Sequence, residues 1–327
     1  LPASGPLEIR RVQPNVLTLD YVDVTAGGET RTNQYFYAAN QFAWQKNGMD
    51  RNPWDSAVQF KEELIAKTFP ATSGFEASYR FTLEGAVPTN LAIVIERPDL
   101  YAITCNGQSI AAQPGAWWLD KAFGRIEIAQ VTRTGENVVT LKAAPFTMFH
   151  ELEPAYLLGD FTLKPAPHGF VVAPDQPLRL KVDGSGFGAT ARLGWNRQGH
   201  PFYAAGVAYR QSFEVKNREG RFKVRLEDWY GSVARVEVNG KPVGYISAPP
   251  WECDITQAIR AGANHVDVVV IGTLKNTLGP HHSGPGLGSA WPGMFHRGPI
   301  PGPPPGNSYH TVSYGLFEPF ELKQVVR

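Results

Sequence analysis

Ile103-Thr104-Cys105-Asn106-Gly107-Gln108-Ser109-Ile110 and Val236-Glu237-Val238-Asn239-Gly240-Lys241-Pro242-Val243 are two spellings of one pattern. In each, an alternating apolar stretch meets Asn-Gly and a second extended stretch leaves it. Asn-Gly accepts the positive φ angles of a type I′ turn, so both octets read as β-hairpins. Downstream the copies re-align: Glu127-Ile128-Ala129-Gln130 with Arg133-Thr134-Gly135-Glu136-Asn137 against Asp254-Ile255-Thr256-Gln257 with Arg260-Ala261-Gly262-Ala263-Asn264. The offset is 133 at Asn-Gly and 127 at Asn137/Asn264, so the first copy holds six extra residues, around Gln113–Asp120. The copies also open alike, at Tyr79-Arg80-Phe81 and Tyr209-Arg210-Gln211, and close alike, at Tyr156–Leu163 and Tyr314–Leu322. An internal repeat organises the chain.

Many short strands separated by Gly/Pro turns point to a mainly β protein of two tandem antiparallel β-sandwiches. Residues 71–166 are expected to form the first module and 167–327 the second. Residues 1–70 read as an arm and helical linker. There, Asn15–Val24 is extended; Tyr35, Phe36, Ala39, Phe42 and Ala43 recur at helical spacing up to Gly48. Asn52-Pro53-Trp54-Asp55 carries the cap-and-proline signature of a second helix, with Ala57, Val58, Phe60, Leu64 and Ile65 as its apolar stripe. Asp254 and Gln257 have capping-box spacing, which predicts one helical turn ending at Gly262.

Composition narrows the function classes. The 31 Lys+Arg against 30 Asp+Glu leave no global field for nucleic acid or an anionic membrane. No apolar run approaches the roughly 18 residues of a membrane helix. The two cysteines, Cys105 and Cys253, form neither a disulfide framework nor a zinc site, and Cys105 reads as a buried thiol. The chain begins Leu1-Pro2-Ala3 without an initiator Met or signal pattern, and is expected to be a processed or excised piece of something longer. Of 33 glycines and 27 prolines, eight of each fall within Gly279–Gly306, a long loop expected inside the second module.

The run Asn239-Gly240-Lys241-Pro242-Val243-Gly244, with Pro250, Asp254-Ile255-Thr256 and Gly262-Ala263-Asn264, resembles the galactose-binding-like jelly rolls attached to glycoside hydrolases. It is similar to the sugar-binding domain of family 2-type enzymes and to the C-terminal part of long α-L-rhamnosidase-like proteins. Gly194–Tyr203, Gly272–His282, Asn15–Tyr21 and Asn52–Asp55 carry the same likeness. The resemblance implies jelly-roll modules that accompany a catalytic barrel of a longer parent chain, secreted or periplasmic, acting on a plant or microbial polysaccharide. It also implies that a structural Ca²⁺ is common in such modules, although no Asp-rich calcium loop is visible. The catalytic carboxylates of those enzymes lie in a (β/α)₈ barrel, for which this chain has no alternating pattern. The chain itself is therefore expected to be non-catalytic and free of cofactor.

Sugar recognition needs an aromatic plate and polar groups for the hydroxyls. The candidates are Trp117, Trp118 and Asp120 in the six-residue insertion, Trp251, His281 and His282, and Trp291 with Tyr309. Trp195 and Trp229 flank strands, and Trp44 and Trp54 lie on helix faces, so these four read as core. His281, His282, His296 and His310 match no zinc spacing, and Pro280–Gly284 reads as a loop shaped by side-chain-to-backbone hydrogen bonds. The local carboxylate clusters are Glu62-Glu63, Glu151/Glu153 and Glu227-Asp228; neighbours on a strand point to opposite faces, which argues against a catalytic pair. The rival readings are a self-contained polysaccharide-active enzyme with a site between the modules, and a structural or protein-binding spacer.

Overall fold

The computed structural model describes residues 1–55, 61–180, 193–283 and 290–326. The protein is mainly β, built from several sheets and a few short helices, and it clusters into two compact units. The larger unit is Val16–Asp175 with Gly279–His310; the smaller is Leu1–Asn15, Gln176–Leu278 and Thr311–Arg327. No described helix is long and apolar enough to cross a membrane.

In the larger unit an eight-stranded sheet runs Phe161–Pro165, Phe170–Pro174, Phe75–Leu83, Gly135–Ala143, Ala102–Cys105, Gln108–Ile110, with Tyr21–Ala26 and Glu29–Tyr35 joined beside Phe75–Leu83. A five-stranded sheet runs Asn15–Leu19, Ala155–Gly159, Ala92–Glu96, Asp120–Glu127, Trp117–Trp118. Along Phe75–Leu83 the residues Phe75, Ala77, Tyr79, Phe81 and Leu83 are buried while Glu76, Arg80 and Thr82 face outward. That period of two is what a half-buried strand requires, and each large side chain so enclosed contributes roughly 1.5–3 kcal/mol. One pair departs from the antiparallel expectation: Val171 and Val172 run parallel to Thr82 and Leu83.

In the smaller unit a five-stranded sheet runs Glu8–Arg11, Val207–Val215, Gly262–Ile271, Val233–Val238, Lys241–Ile246. A three-stranded sheet pairs Glu252–Asp254, Arg221–Arg225 and Glu321–Val325. Phe213, Val236, Val266 and Val268 from the first sheet and Phe222, Val224 and Leu322 from the second belong to one buried cluster. Inside the first sheet, the buried carboxylate of Asp267 receives Nε and Nη2 of Arg210, each at 3.0 Å.

The repeat holds down to single hydrogen bonds. Asn106 (φ 50°) and Gly107 (φ 80°) turn the first hairpin, Asn239 (φ 51°) and Gly240 (φ 79°) the second. Asn106 Nδ2 donates to Asn137 Oδ1 at 2.8 Å, and Asn239 Nδ2 to Asn264 Oδ1 at 3.0 Å. Asn137 in turn donates to the Arg133 and Gly135 carbonyls and accepts from the Arg133 N–H; Asn264 does the same with Arg260 and Gly262. Both Asn137 and Asn264 are fully buried. At the repeat's opening the register differs from the sequence alignment: Phe81 faces Asn137 and Phe213 faces Asn264, so Phe81 corresponds to Phe213. The shift is two residues, which leaves every side chain on its expected face. Cys105 and Cys253 are buried free thiols, and burial pushes both pKa values up.

Three expectations are corrected. The helix Phe36–Lys46 forms and ends before Gly48, but the second helix does not start at Asn52. Asn52 Oδ1 instead takes the Trp54 N–H and closes a short 3₁₀ turn, Pro53–Asp55. Ala57, Val58 and Phe60 lie outside the described residues; the one-turn helix Glu62–Ile65 leaves Ile65 exposed. After Asp254 there is a hydrogen-bonded turn rather than a helix, with Asp254 Oδ1 accepting from Thr256 N and Oγ1. Those bonds, with Arg221, hold the Asp254 carboxyl down to about 2.

The units also divide the chain differently from the boundaries at 70/71 and 166/167. Strand pairing decides this: Glu8 faces Arg210, which takes the arm into the smaller unit, while Asp23 faces Ser78 in the larger. The Gly/Pro-rich loop belongs to the larger unit, where Gly169 N donates to Pro304 O and Gly306 N to Ala166 O.

Candidate functional site

The segment Phe146–Pro154 follows the strand Gly135–Ala143 and carries the carboxylates Glu151 and Glu153. Phe146, Met148 and Leu152 are buried anchors, and Phe149 between them is 49% exposed. His150 ties the segment down: Nδ1 accepts the Thr147 N–H at 2.9 Å, so Nε2 carries the proton and donates to Leu100 O at 2.9 Å. Burial lowers the His150 pKa, which keeps this ring neutral. Tyr101 Oη donates to the Glu151 carbonyl at 2.9 Å and Tyr79 Oη to that of Glu153 at 2.5 Å. The backbone on both sides of Leu152 is thereby pinned.

Glu96 ends the strand Ala92–Glu96, and Arg97 beyond it takes a left-handed φ of 44° before the turn Pro98–Leu100 delivers Tyr101. Buried Asn52 donates through Nδ2 to Glu151 Oε1 at 2.6 Å, and Trp54 Nε1 donates to Met148 O at 2.6 Å. These elements enclose a cavity of about 300 Å³ lined by Trp54, Ile65, Glu96, Arg97, Tyr101, Ala122, Phe149 and Glu151. A recess of about 10 Å³ is lined by Glu153 together with Glu96, Tyr101 and Glu151. Desolvation raises the pKa of all three carboxyls, and well above the ordinary range for Glu153. Mutual repulsion adds to it for Glu96 and Glu153, Arg97 partly offsets it at Glu96, and the Asn52 hydrogen bond partly offsets it at Glu151. Protonated and ionised carboxyls beside aromatic faces can accept and donate hydrogen bonds to a hydroxylated or basic ring. Among the described residues no group of three or more His, Cys, Asp or Glu is arranged to hold a metal ion.

The eight residues singled out from the sequence do not form one site, and none lines this cavity. Trp117 is 51% and Trp291 61% exposed. Trp118 is half-buried against Tyr156, with ring centroids 5.3 Å apart, and exposed Asp120 accepts the Ala122 N–H. Trp251, in the smaller unit, packs edge-on against Trp229 at 5.4 Å, which covers part of its ring. His282 and Tyr309 converge on a buried carboxylate, with the His281 ring beside them at 6.3 and 5.9 Å. Asp20 Oδ2 lies 2.7 Å from His282 Nε2, and Asp20 Oδ1 accepts from Tyr309 Oη at 3.1 Å. Tyr21 and Tyr35 stand edge-on to His282, and Tyr309 lines a cleft of about 100 Å³ with Asp20, Tyr21 and Phe170. In this loop His282 bonds a side chain, Asp20, while Ser283 Oγ donates to the backbone carbonyl of Met294 at 2.5 Å. Trp195 and Trp44 are core as expected, whereas Trp54 is half-buried and lines the cavity.

Sequence reasoning flagged Glu151 and Glu153 but not Glu96, Arg97, Tyr101 or Phe149. One signal was available: Leu91–Ile95 is an unbroken apolar run that stops at Glu96-Arg97-Pro98, which places a charge at the mouth of a buried strand.

No protein-family model matches the chain. Over 84 residues it is 31% identical to a Formosa agariphila protein named as a proposed beta-glucuronidase, a match covering 25% of this chain and 7% of that protein. Over most of its length the structure is similar to parts of solved glycoside hydrolases. The beta-D-mannosidase of Dictyoglomus thermophilum is 11% identical with a TM-score of 0.31, covering 83% of this chain and 32% of that one. The Ruminococcus gnavus beta-glucuronidase is 13% identical with a TM-score of 0.28, covering 84% and 41%. The alpha-L-rhamnosidase of Streptomyces avermitilis is 18% identical with a TM-score of 0.26, covering 65% and 23%. The chain spans well under half the length of each.

Proposed function

We propose that this chain is a carbohydrate-binding region of a secreted or periplasmic glycoside hydrolase-like protein, built as two tandem jelly-roll modules, and that the larger unit holds the saccharide. The observation that carries the reading is the cavity of about 300 Å³, in which Trp54, Tyr101 and Phe149 stand beside Glu96, Glu151 and Arg97. That volume is at the small end of ligand sites and suits one sugar ring. Aromatic faces stack on the C–H face of a pyranose, and the charged groups bond its hydroxyls. The resemblance of the repeat to galactose-binding-like modules and the partial match to the Formosa agariphila protein support the glycan setting. Weak, aromatic-based sites of this kind raise the effective concentration of a catalytic barrel on its polysaccharide without chemistry of their own.

The reading is tested by affinity electrophoresis of the full chain through gels of plant and microbial polysaccharides. At least one glycan is expected to retard it, and Phe149→Ala is expected to weaken retardation about tenfold, the scale of one lost ring contact. Absence of retardation across the panel, or retardation indifferent to both Phe149→Ala and Glu151→Gln, refutes it.

A further inference from the structure

We propose that the cavity at Glu96 and Glu151 selects saccharides bearing a protonated primary amine, an amino sugar in preference to a neutral one. The inference deepens the saccharide reading above and rests on it. Glu96 and Glu151 line the cavity, and Glu153 lines the recess that shares Glu96, Tyr101 and Glu151 with it. The Glu151 carboxyl receives one donor, Asn52; among the described residues the carboxyls of Glu96 and Glu153 receive none. Asp55 and Asp120 add negative charge from neighbouring segments. The guanidinium that lines the cavity is already engaged: Arg97 Nε and Nη2 bond the two Asp99 oxygens at 3.0 and 2.8 Å. Tyr79, Tyr101 and Tyr156 face the carboxylates from the other packed strands, and burial keeps their hydroxyls protonated, so they add no charge.

Negative charge thus exceeds positive around a space sized for one ring. A neutral sugar leaves that imbalance in place. An ammonium group removes it and brings three donors to carboxylates that lack them, in charge-assisted bonds about twice as strong as neutral ones. The faces of Trp54, Tyr101 and Phe149 attract a cation as well as a C–H surface. Because burial and repulsion raise the pKa values of these carboxyls, an ammonium ligand, which favours their ionised form, works against that shift and is linked to proton release. Affinity then rises from acid to neutral pH, and salt weakens it.

The test is isothermal titration calorimetry of the full chain with glucosamine, N-acetylglucosamine and glucose, at about pH 5.5 and pH 7.5, in buffers of different ionisation enthalpy. Glucosamine is expected to bind about tenfold more tightly than either neutral sugar, with proton release at the lower pH. Glu96→Gln and Glu151→Gln, which keep side-chain shape, are expected to bring it down to the neutral level; thermal melts of both variants establish that they fold. Equal affinity for all three sugars overturns the amine preference while leaving the saccharide reading intact. A glucosamine preference unchanged in both folded variants overturns it as well. Failure of all three sugars, alongside a negative polysaccharide panel, removes both.

Discussion

At the scale of single residues, Asn137 and Asn264 each hold a turn through three backbone hydrogen bonds. Each side chain satisfies two carbonyls and one backbone N–H, and receives the hairpin asparagine at 2.8 and 3.0 Å. Alanine at either site strands buried polar groups that cost about 1–3 kcal/mol each. Asn137→Ala and Asn264→Ala are each expected to destabilise by about 3 kcal/mol, read from urea midpoints, and by the same amount within about 1 kcal/mol. A much smaller loss at one site would show that its repeat is supported elsewhere. This symmetry was half legible beforehand. The Asn-Gly and Gly-x-Asn signals sit in the sequence at fixed places, but the bond between them spans 31 residues in one copy and 25 in the other, a distance no local pattern reports.

At the scale of elements, the two hairpins and the strand ends use glycine for different reasons. Gly107 and Gly240 have φ near 80° and open space where a Cβ would stand, so alanine there incurs only backbone strain. Gly107→Ala and Gly240→Ala are each expected to cost about 1 kcal/mol in stability. Gly74 also has positive φ, but a Cβ there would meet the Ala143 carbonyl where Phe75 pairs with Ala143. Gly74→Ala should therefore lose markedly more stability than either hairpin variant in the same denaturation assay; equal losses would contradict the clash. Hairpins, the helix Phe36–Lys46 and the alternating strands were readable because each depends on local spacing. The site was not. Glu151 and Glu153 are two residues apart, the spacing that puts both on one face of an extended stretch, and with Tyr101 and Tyr79 holding their carbonyls both reach cavities shared with Glu96. Glu96 lies 55 residues away in sequence, and pairing of distant strands decides that meeting.

At the scale of the whole molecule, near-neutrality conceals an acidic pocket, and the pocket imposes a direction on stability. The folded pKa values of Glu96, Glu151 and Glu153 lie above the ordinary 4.5. The native state therefore holds more protons than the unfolded one above that value, and these groups' contribution declines as pH rises through their folded pKa values. Thermal melts are expected to show the larger unit gaining stability on mild acidification from neutral pH, and Glu153→Gln should flatten that dependence while raising the neutral-pH melting temperature. A melting temperature that instead climbs with pH, or a variant that leaves the slope unchanged, would exclude the three carboxyls as its source. The mainly β character was foreseeable from the repeat, but the membership of the two units was not, because the loop after Gly279 joins the larger unit through His282 and Tyr309, which meet Asp20 from 262 and 289 residues away. Those separations matter during biosynthesis. A ribosome delivers Asp20 long before His282 and Tyr309, so the nascent chain carries a carboxylate whose two side-chain partners arrive 262 and 289 residues later. The last contacts of the larger unit therefore form only after the smaller unit's residues Gln176–Leu278 have been synthesised.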